Sequence, residues 1–226
     1  AVVCTTDDPT DDLASHRKIA ADAKPATRVY ATFRPDKALQ VDQPNAFRAW
    51  VEKLAAVSDE TCGTFAQFLS GIENRHSFFH EQGCRLSDHG LSYCFSNPCT
   101  EAEAAGIFNQ AMQGHGATAG EHEAFAAHMM LVFGRLDARR GWVKQLHLGA
   151  MRNNNTRLFR ALGPDTGFDS IGDWSQASAL AKYLDALDLT NELPRTILYN
   201  LNPADNYVLG TMIGNCLLYT SDAADE

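Results

Sequence analysis

The stretch QLHLGAMRNNNTRLF, residues 145–159, begins like a buried β-strand and then becomes polar, with two arginines and three consecutive asparagines. Burying such groups without hydrogen-bond partners would cost about 1 to 3 kcal/mol each. The change in character predicts that a strand ends here and that the polar side chains after it line a site.

Four other apolar runs have the same polar ending, and helical segments separate them. Their ends read TTDDP at 5–9, FRPDK at 33–37, SDHG at 87–90 and YNLNPADN at 199–206. Apolar spacing predicts helices at about 11–23, 45–57, 60–81, as a pair within 100–140, and at 174–187. Strands that alternate with helices predict a parallel sheet and an α/β fold. Because ligands bind at the carboxyl ends of parallel strands, the five endings predict one shared site.

Composition and charge argue against several classes of protein. The chain has 226 residues, of which 45% are apolar and 21% charged, as in soluble globular proteins. A formal net charge of −9 argues against nucleic acid or an anionic membrane as a partner. No apolar run has the length of a membrane span, and no signal peptide is visible. Six cysteines without a CxxC pair favour a reduced, cytoplasmic protein.

Side chains alternate between the two faces of a strand, which predicts which polar groups point the same way. The three faces of interest are Tyr30, Thr32 and Arg34 on the second strand, Arg85, Ser87 and His89 on the third, and Val143, Gln145 and His147 on the fourth. If these are the inner faces, Arg34, His89 and His147 point into one pocket.

One attractive pattern is set aside. His76 and His80 fall one turn apart on a predicted helix, a spacing that metal sites use. Without the glutamate of an HExxH motif or a third ligand nearby, the two histidines predict a solvated helix face.

Five segments together resemble a known family in order and spacing. They cover residues 2–13, 31–39, 83–91, 138–173 and 193–215 and read VVCTTDDPTDDL, ATFRPDKAL, GCRLSDHGL, ARRGWVKQLHLGAMRNNNTRLFRALGPDTGFDSIGD and LPRTILYNLNPADNYVLGTMIGN. The fourth segment is the most specific, because no general constraint of an α/β fold demands RNNN followed by GPDTGFDSI. The family that they resemble is uronate isomerase (glucuronate isomerase), of the amidohydrolase superfamily.

The resemblance implies a fold and a reaction. By family, the fold is a distorted (β/α)8 barrel of the TIM type, and this chain would form a partial barrel with extra helices in the crossovers. By family also, the enzyme is an aldose-ketose isomerase of sugar-acid catabolism. It interconverts D-glucuronate with D-fructuronate and D-galacturonate with D-tagaturonate, so the expected partner is a hexuronate. A homo-oligomer is left open.

The sequence departs from the family pattern in two ways. Family chains are much longer, and neither their HxH metal motif nor their late Asp-x-Arg motif has a counterpart here. The resemblance therefore implies a divalent metal, zinc, held in the longer protein by residues that this chain lacks. At its end, CLLYTSDAADE replaces the family pattern, which predicts a partial barrel domain over 1–215 and a non-native tail over 216–226.

Arg34 and Arg152 are the predicted ligands of the substrate's C6 carboxylate, because a planar guanidinium can donate two parallel charge-assisted hydrogen bonds to it. The alternative for Arg34 is a structural ion pair with Asp36 or a loop acid. For Arg152 the alternative is a loop-holding role, and Arg157 or Arg160 could then bind the carboxylate instead.

His89 and His147 are the predicted catalytic residues, since the reaction moves a proton between C2 and C1 and needs an acid and a base. His89 could instead ligate a metal or be oriented by Asp88, and either histidine could be a hydrogen-bonded core residue. Asn153 and Asn154 offer amides for sugar hydroxyls, although asparagines also serve as turn and cap residues.

Two other functions remain open on the sequence alone. A metal-dependent hydrolase of the amidohydrolase superfamily would share the barrel and the position of the site. A non-catalytic α/β module that binds a sugar acid would need no complete barrel. The specific match from RNNN to GFDSI favours the isomerase over the hydrolase. The binding module stays open for this chain taken alone, which lacks the strands needed to close an eight-stranded barrel.

Overall fold

The computed structural model describes residues 1–22, 27–163 and 166–213. In these ranges the strands are β1 (Val2–Asp7), β2 (Arg28–Phe33), β3 (Leu86–Leu91), β4 (Val143–Leu148), β5 (Ala150–Met151), β6 (Ser170–Ile171) and β7 (Arg195–Asn200). All five predicted strands are present, and β5 and β6 form a separate two-stranded antiparallel sheet. The predicted tail, 216–226, lies outside the described residues.

The five long strands form one parallel sheet in the order β1-β2-β3-β4-β7. Each of these strands therefore lies beside the long strand that precedes it in the chain. A doubly wound sheet would instead reverse its strand order at a switch point. The predicted α/β fold is confirmed, and the strand order is that of a partial (β/α)8 barrel.

The described helices mostly follow the prediction. They are α1 (Ala14–Ala20), α2 (Pro44–Ser58), α3 (Phe65–Glu81), α4 (Glu101–Met112), α5 (Ala119–Arg140), α6 (Thr156–Leu162), α7 (Ala177–Asp188) and α8 (Asn206–Met212). Capping boxes start α3, α4 and α5. The sequence did not predict α6 or α8, because seven residues give too few turns for a periodic pattern. Among the described helices none has the length and hydropathy that a membrane span requires.

Helices cover one face of the sheet, and most of the core lies among them. Phe47, Phe68, Phe108 and Phe125 come from four successive helices and are fully buried. Their neighbouring ring centroids lie 5.0 to 6.5 Å apart, at tilted or edge-to-face angles. Such aromatic pairs add to the free energy gained from burial alone. The apolar spacing of these helices in the sequence is therefore the pattern of one shared core.

The other face of the sheet is open. Ala31 and Phe33 on β2 point under the helices and are buried. On the other face of β2, Tyr30 is half-buried, although Thr32 is buried. On β7, Ile197 and Tyr199 are 43% and 40% exposed. The face of β4 predicted to point inward is thus the open one, and on β2 the predicted face is open at Tyr30 and Arg34.

The prediction of which β3 side chains point inward is wrong. Ser87 pairs in register with Phe33 of β2 and with Lys144 of β4, and all three side chains are buried on the helix side. Because side chains alternate along a strand, His89 follows Ser87 to the helix side, and Asp88 points to the open face.

A buried ion pair joins β4 to α5. The Nζ of Lys144 lies 2.7 Å from Oδ2 of Asp137, and the two side chains are 0% and 1% exposed. The same carboxylate accepts a hydrogen bond from Ser87 and contacts Nε2 of His76 at 3.1 Å. Burial by itself would raise the pKa of Asp137, but the charge of Lys144 and the hydrogen bond with His76 outweigh it and lower the pKa to about 2. Asp137 is therefore charged wherever the protein is folded at neutral pH.

The helix face that carries His76 and His80 is packed, so the prediction of a solvated face is wrong. His76 is buried and stacks on Trp142 with 3.8 Å between ring centroids. Trp142 also donates a hydrogen bond from Nε1 to Nδ1 of His80, at 2.9 Å. Both histidines thus hold the residue that directly precedes β4.

Replacing Lys144 by Met tests the ion pair, because the apolar side chain has a similar length and leaves the Asp137 carboxylate buried without its main partner. We expect the free energy of unfolding at pH 7 to fall by about 3 kcal/mol or more, measured by urea denaturation. Arg139→Ala is the control, since Arg139 pairs with Glu73 at an exposed site and should contribute less than about 1 kcal/mol. Equal losses in the two variants would contradict the importance of the buried pair.

Candidate active site

A cavity of about 560 Å³ opens at the carboxyl ends of the parallel strands. Every long strand contributes to its wall, with Thr6 on β1, Arg34 after β2, Asp88 on β3, His147 on β4 and Leu201 after β7. The segment that contains β5 and β6 completes the wall with Ala150, Arg152, Asp169, Ser170 and Ile171. The volume of the cavity is within the usual range for small-molecule sites. The polar strand endings therefore meet at one site, as the sequence predicts.

Two arginines converge above Gly90 of β3. A Cβ atom at Gly90 would lie 1.8 Å from Nη2 of Arg34 and 3.3 Å from Nη2 of Arg152. The two side chains remain 30% and 47% exposed, so a ligand can reach them. Two guanidinium groups near one point of the cavity favour an anionic ligand.

Arg34 is held by two carboxylates. Its Nε donates to Oδ2 of Asp36 at 3.1 Å, and its Nη1 lies 3.3 Å from Oδ2 of Asp88. Burial would raise the pKa of Asp36, but hydrogen bonds from His89 and Gly90 and the charge of Arg34 lower it to about 2. The ion pair with Asp36 that the sequence offered as an alternative exists, and Arg34 lines the cavity as well.

His147 lies on the open face of β4, next to Asp88. Its ring is 37% exposed and stacks on Tyr199, its register partner on β7, with 4.2 Å between centroids and 7° between planes. Its Nδ1 is 2.7 Å from Oδ1 of Asp88, but the two atoms do not have the alignment of a hydrogen bond. The contact is thus electrostatic, and small rotations of either side chain could align it or direct it to a ligand.

Arg152 directly follows β5, and its side chain reaches the cavity. Its Nη1 lies 2.5 Å from Oδ2 of Asp169, and the backbone N–H of Asn153 donates to the same carboxylate at 2.9 Å. The hydrogen bonds from Asn153 and Arg152 lower the pKa of Asp169. Arg157 and Arg160, the alternatives considered from the sequence, are exposed on α6 and do not line this cavity.

The consecutive asparagines build the turn instead of the cavity wall. Asn153 has a left-handed backbone with a φ of 56°. The amide of Asn154 donates to the carbonyl of Met151 and to the hydroxyl of Ser170, and Asn155 caps α6. The structure therefore does not place Asn153 or Asn154 where the sequence predicted them to bind hydroxyls, because both stabilise the local backbone. Ser170, which Asn154 contacts, lines the cavity.

His89 lies on the opposite side of the sheet, so the prediction that it points into the cavity is wrong. The ring is fully buried, stacks on Phe133 of α5, and places Nε2 3.0 Å from Nζ of Lys144. Its Nδ1 is 2.8 Å from Oδ1 of Asp36. Burial and the charge of Lys144 lower the pKa of His89, so the ring is neutral at pH 7. His89 cannot touch a ligand in the cavity, but it touches the acid that holds Arg34.

Several groups at the cavity were not predicted as site residues, among them Asp88, Gly90 and Asp169. Asp88 and Gly90 alternate with His89 in the segment SDHG. If the prediction had assigned the other set of alternating residues to the inner face of β3, it would have included both. Asp169 belongs to a stretch without strand or helix periodicity, so only its place in the family-like segment GFDSI could have indicated it.

The donors at the cavity suit an anion better than a cation. Among residues 1–22, 27–163 and 166–213, no group of three or more His, Cys, Asp or Glu side chains is placed to hold a metal ion. The pair of Asp88 and His147 lies instead beside two arginines, which ligate no cation. The described residues therefore do not fit the zinc that the resemblance implies.

Comparison with known proteins gives a consistent family. A family model described as "Glucuronate isomerase" matches residues 1–221. The uronate isomerase of Solibacter usitatus is 63% identical over 213 residues, which are 94% of this chain and 45% of that protein. The uronate isomerase of Opitutus terrae is 59% identical over 215 residues, or 95% of this chain and 45% of that protein. The chain thus spans about half the length of the curated relatives it matches.

Two solved structures share the fold. The crystal structure of a uronate isomerase from Thermotoga maritima has a TM-score of 0.88 and 33% identity, over 94% of this chain and 46% of that one. The crystal structure of a glucuronate isomerase from Caulobacter crescentus has a TM-score of 0.81 and 26% identity, over 90% of this chain and 42% of that one. The partial barrel is therefore the arrangement of a known larger fold.

The chain should lose stability as the pH falls below about 6.5, because His76 and His89 are buried and their pKa values are lowered by that burial. An unfolded histidine takes up a proton near pH 6.5, whereas these two stay neutral to lower pH in the folded chain. Protonation then favours the unfolded state. The free energy of unfolding should decrease below pH 6.5 by up to about 1.4 kcal/mol per pH unit for each histidine, as measured by urea titrations at pH 7.5, 6.5 and 5.5.

His76→Phe is the matched variant for this pH dependence, because phenylalanine can stack on Trp142 and does not titrate. Its free energy of unfolding should vary less between pH 6.5 and 5.5 than that of the unchanged chain. The same slope in both proteins would show that His76 does not contribute.

Proposed function

The chain belongs to the glucuronate isomerase family, and from this premise we propose a function for the full-length protein, by which we mean this chain completed to the length of its curated relatives. We propose that it is a hexuronate isomerase, an intramolecular oxidoreductase of sugar-acid catabolism. It interconverts D-glucuronate with D-fructuronate and D-galacturonate with D-tagaturonate. The cavity at the strand ends is part of its substrate site.

The observation that carries this proposal is the convergence of Arg34 and Arg152 above Gly90. A hexuronate differs from a neutral hexose by its C6 carboxylate, and Nη2 of Arg34 and Nη2 of Arg152 can each donate a charge-assisted hydrogen bond to such a group. We assign the C6 carboxylate to these two arginines. We assign the sugar hydroxyls to the hydroxyl of Ser170 and the carboxylate of Asp169, which both lie in the cavity wall.

The reaction moves a proton between C2 and C1 of the sugar through an enediolate, and His147 is the group on this chain that we assign to proton transfer. Its ring is held in place by stacking on Tyr199 and lies beside the carboxylate of Asp88. A carboxylate next to an imidazole stabilises the imidazolium that forms when the ring accepts a proton. His89, the other histidine predicted to be catalytic, has no access to the cavity, and we assign it no role in proton transfer.

Zinc is a further proposal for the full-length protein. No set of described residues fits a metal ion, so the ligands that we propose lie outside the described part of this chain, and no step is assigned to the metal here. We also propose a cytoplasmic location, which the five free cysteines of the described ranges support, since disulfides are rare in reducing compartments. That the full-length protein forms a homo-oligomer stays a prediction.

The isomerase is favoured over a hydrolase of the same superfamily by the identity of 63% to a uronate isomerase. A binding module without catalysis is the second candidate for this chain taken alone. The open face of the sheet, where Ile197 and Tyr199 are exposed, favours this second candidate. In this chain alone the site is walled on one side only, and residues of the full-length protein would have to complete it.

We expect this chain alone to bind D-glucuronate without converting it, while the full-length protein converts it. The physical reason is that the described residues supply the carboxylate site and one acid/base group but no metal site. Isothermal calorimetry measures the binding, and an assay of ketose formation with added Zn²⁺ measures the conversion. Turnover by this chain alone at a rate comparable to that of the full-length protein would refute the proposal.

Replacing Arg34 by Ala in the full-length protein should reduce kcat/KM for D-glucuronate by about 100-fold, because hydrogen bonds to a charged group contribute about 1.5 to 3 kcal/mol. Arg157→Ala is the matched control, since Arg157 is exposed on α6 and does not line the cavity. Unchanged kinetics for Arg34→Ala would remove this arginine from the substrate site.

A further inference from the structure

We infer that Gly90 and Asp36 are positioning residues for Arg34: Gly90 leaves the space that the guanidinium occupies, and Asp36 holds Nε so that Nη2 faces the ligand. The inference rests on the proposed function, since it names what makes Arg34 a carboxylate ligand. Neither residue is assigned to contact the substrate.

Gly90 is required by space and not by backbone conformation. It does not have the positive φ that favours glycine at Gly83, Gly149 and other turns of the described chain. A Cβ at position 90 would instead lie 1.8 Å from Nη2 and 3.1 Å from Cζ of Arg34. The distance of 1.8 Å is far too short for a contact and that of 3.1 Å is tight, so any larger residue at position 90 must displace the guanidinium. In a strand interior glycine otherwise weakens the sheet, which makes a functional reason for it stronger.

Asp36 accepts hydrogen bonds from three donors. They are Nε of Arg34 at 3.1 Å, the backbone N–H of Gly90 at 2.9 Å, and Nδ1 of His89 at 2.8 Å. A carboxylate has only acceptors and can satisfy all three. An asparagine would direct its NH₂ group toward at least one of them.

His89 must present a donor to Asp36 because Lys144 fixes its tautomer. The Nζ of Lys144 lies 3.0 Å from Nε2 of His89 and 2.7 Å from the carboxylate of Asp137. A lysine ammonium only donates, so Nε2 accepts and the ring proton is on Nδ1. The buried residues on the helix side of the sheet therefore determine that position 36 has to be a carboxylate.

The result is an oriented guanidinium. Asp36 occupies the Nε edge of Arg34, and Asp88 contacts Nη1 at 3.3 Å. This directs Nη2 over Gly90, where Nη2 of Arg152 also lies close. The two arginines can then bind the same carboxylate.

A double-mutant cycle in the full-length protein tests whether Gly90 acts through Arg34. The variants are Gly90→Ala, Arg34→Ala and the double variant, assayed for KM and kcat with D-glucuronate. We expect Gly90→Ala to raise KM at least 10-fold, and to raise it less than 2-fold when Arg34 is already alanine, because no guanidinium is left to displace. Gly106→Ala is the matched control, since a Cβ there meets no atom within 4 Å.

The outcomes separate this inference from the proposed function. If Arg34→Ala raises KM and Gly90→Ala does not, or if Gly90→Ala has the same effect in both backgrounds, the positioning role is overturned and the proposed function stands. If Arg34→Ala itself leaves KM unchanged, the carboxylate assignment fails, and the positioning role fails with it.

Asp36→Asn provides the second test, which does not depend on how well the strand accepts a new Cβ. It should raise KM at least 10-fold in the unchanged background and less than 2-fold in Arg34→Ala, with a circular dichroism spectrum like that of the unchanged protein. A loss of activity that is equal in both backgrounds would indicate a structural role only and would overturn the inference for Asp36.

Discussion

The buried pair of Lys144 and Asp137 decides which face of the sheet binds a ligand. An ammonium group without a partner is too unfavourable to bury, so β4 turns Lys144 toward α5, where Asp137 lies. Alternation along the strand then places His147 on the open face. The parallel register with β3 brings His89 beside Lys144 and leaves Asp88 beside His147 on the cavity side. One ion pair on the helix side thus fixes the composition of the site on the other.

The sequence was sufficient for the strands and for the position of the site, because both depend on local pattern. Apolar runs with polar endings predicted five parallel strands, and Arg34, His147 and Arg152 do line one cavity. The inner face of β3 could not be predicted in the same way. Its segment SDHG has polar side chains on both faces, and the choice depends on Lys144, which is more than fifty residues away in sequence. Lysine is almost never fully buried, so nothing local indicated that it would be.

The prediction for the three consecutive asparagines failed for the opposite reason. They were expected to bind a ligand, but local backbone structure explains them. Asn153 adopts a left-handed backbone and Asn155 starts a helix, both of which are ordinary uses of this residue type. The helix that Asn155 begins has seven residues, too few for periodicity to reveal it. A sequence shows that such side chains avoid the core, but it does not show whether a ligand or the backbone takes their hydrogen bonds.

Charge alone does not make the cavity a carboxylate site, since each of its arginines already has an acidic partner. Arg34 contacts Asp36 and Asp88, and Arg152 contacts Asp169. An anionic ligand therefore meets arginines whose charge is largely compensated, and orientation decides whether they bind it. Asp36 restrains the Nε edge of Arg34, so the side chain loses little rotational freedom when the ligand arrives. An acid that reduces the net charge of the cavity can for this reason strengthen the binding of an anion.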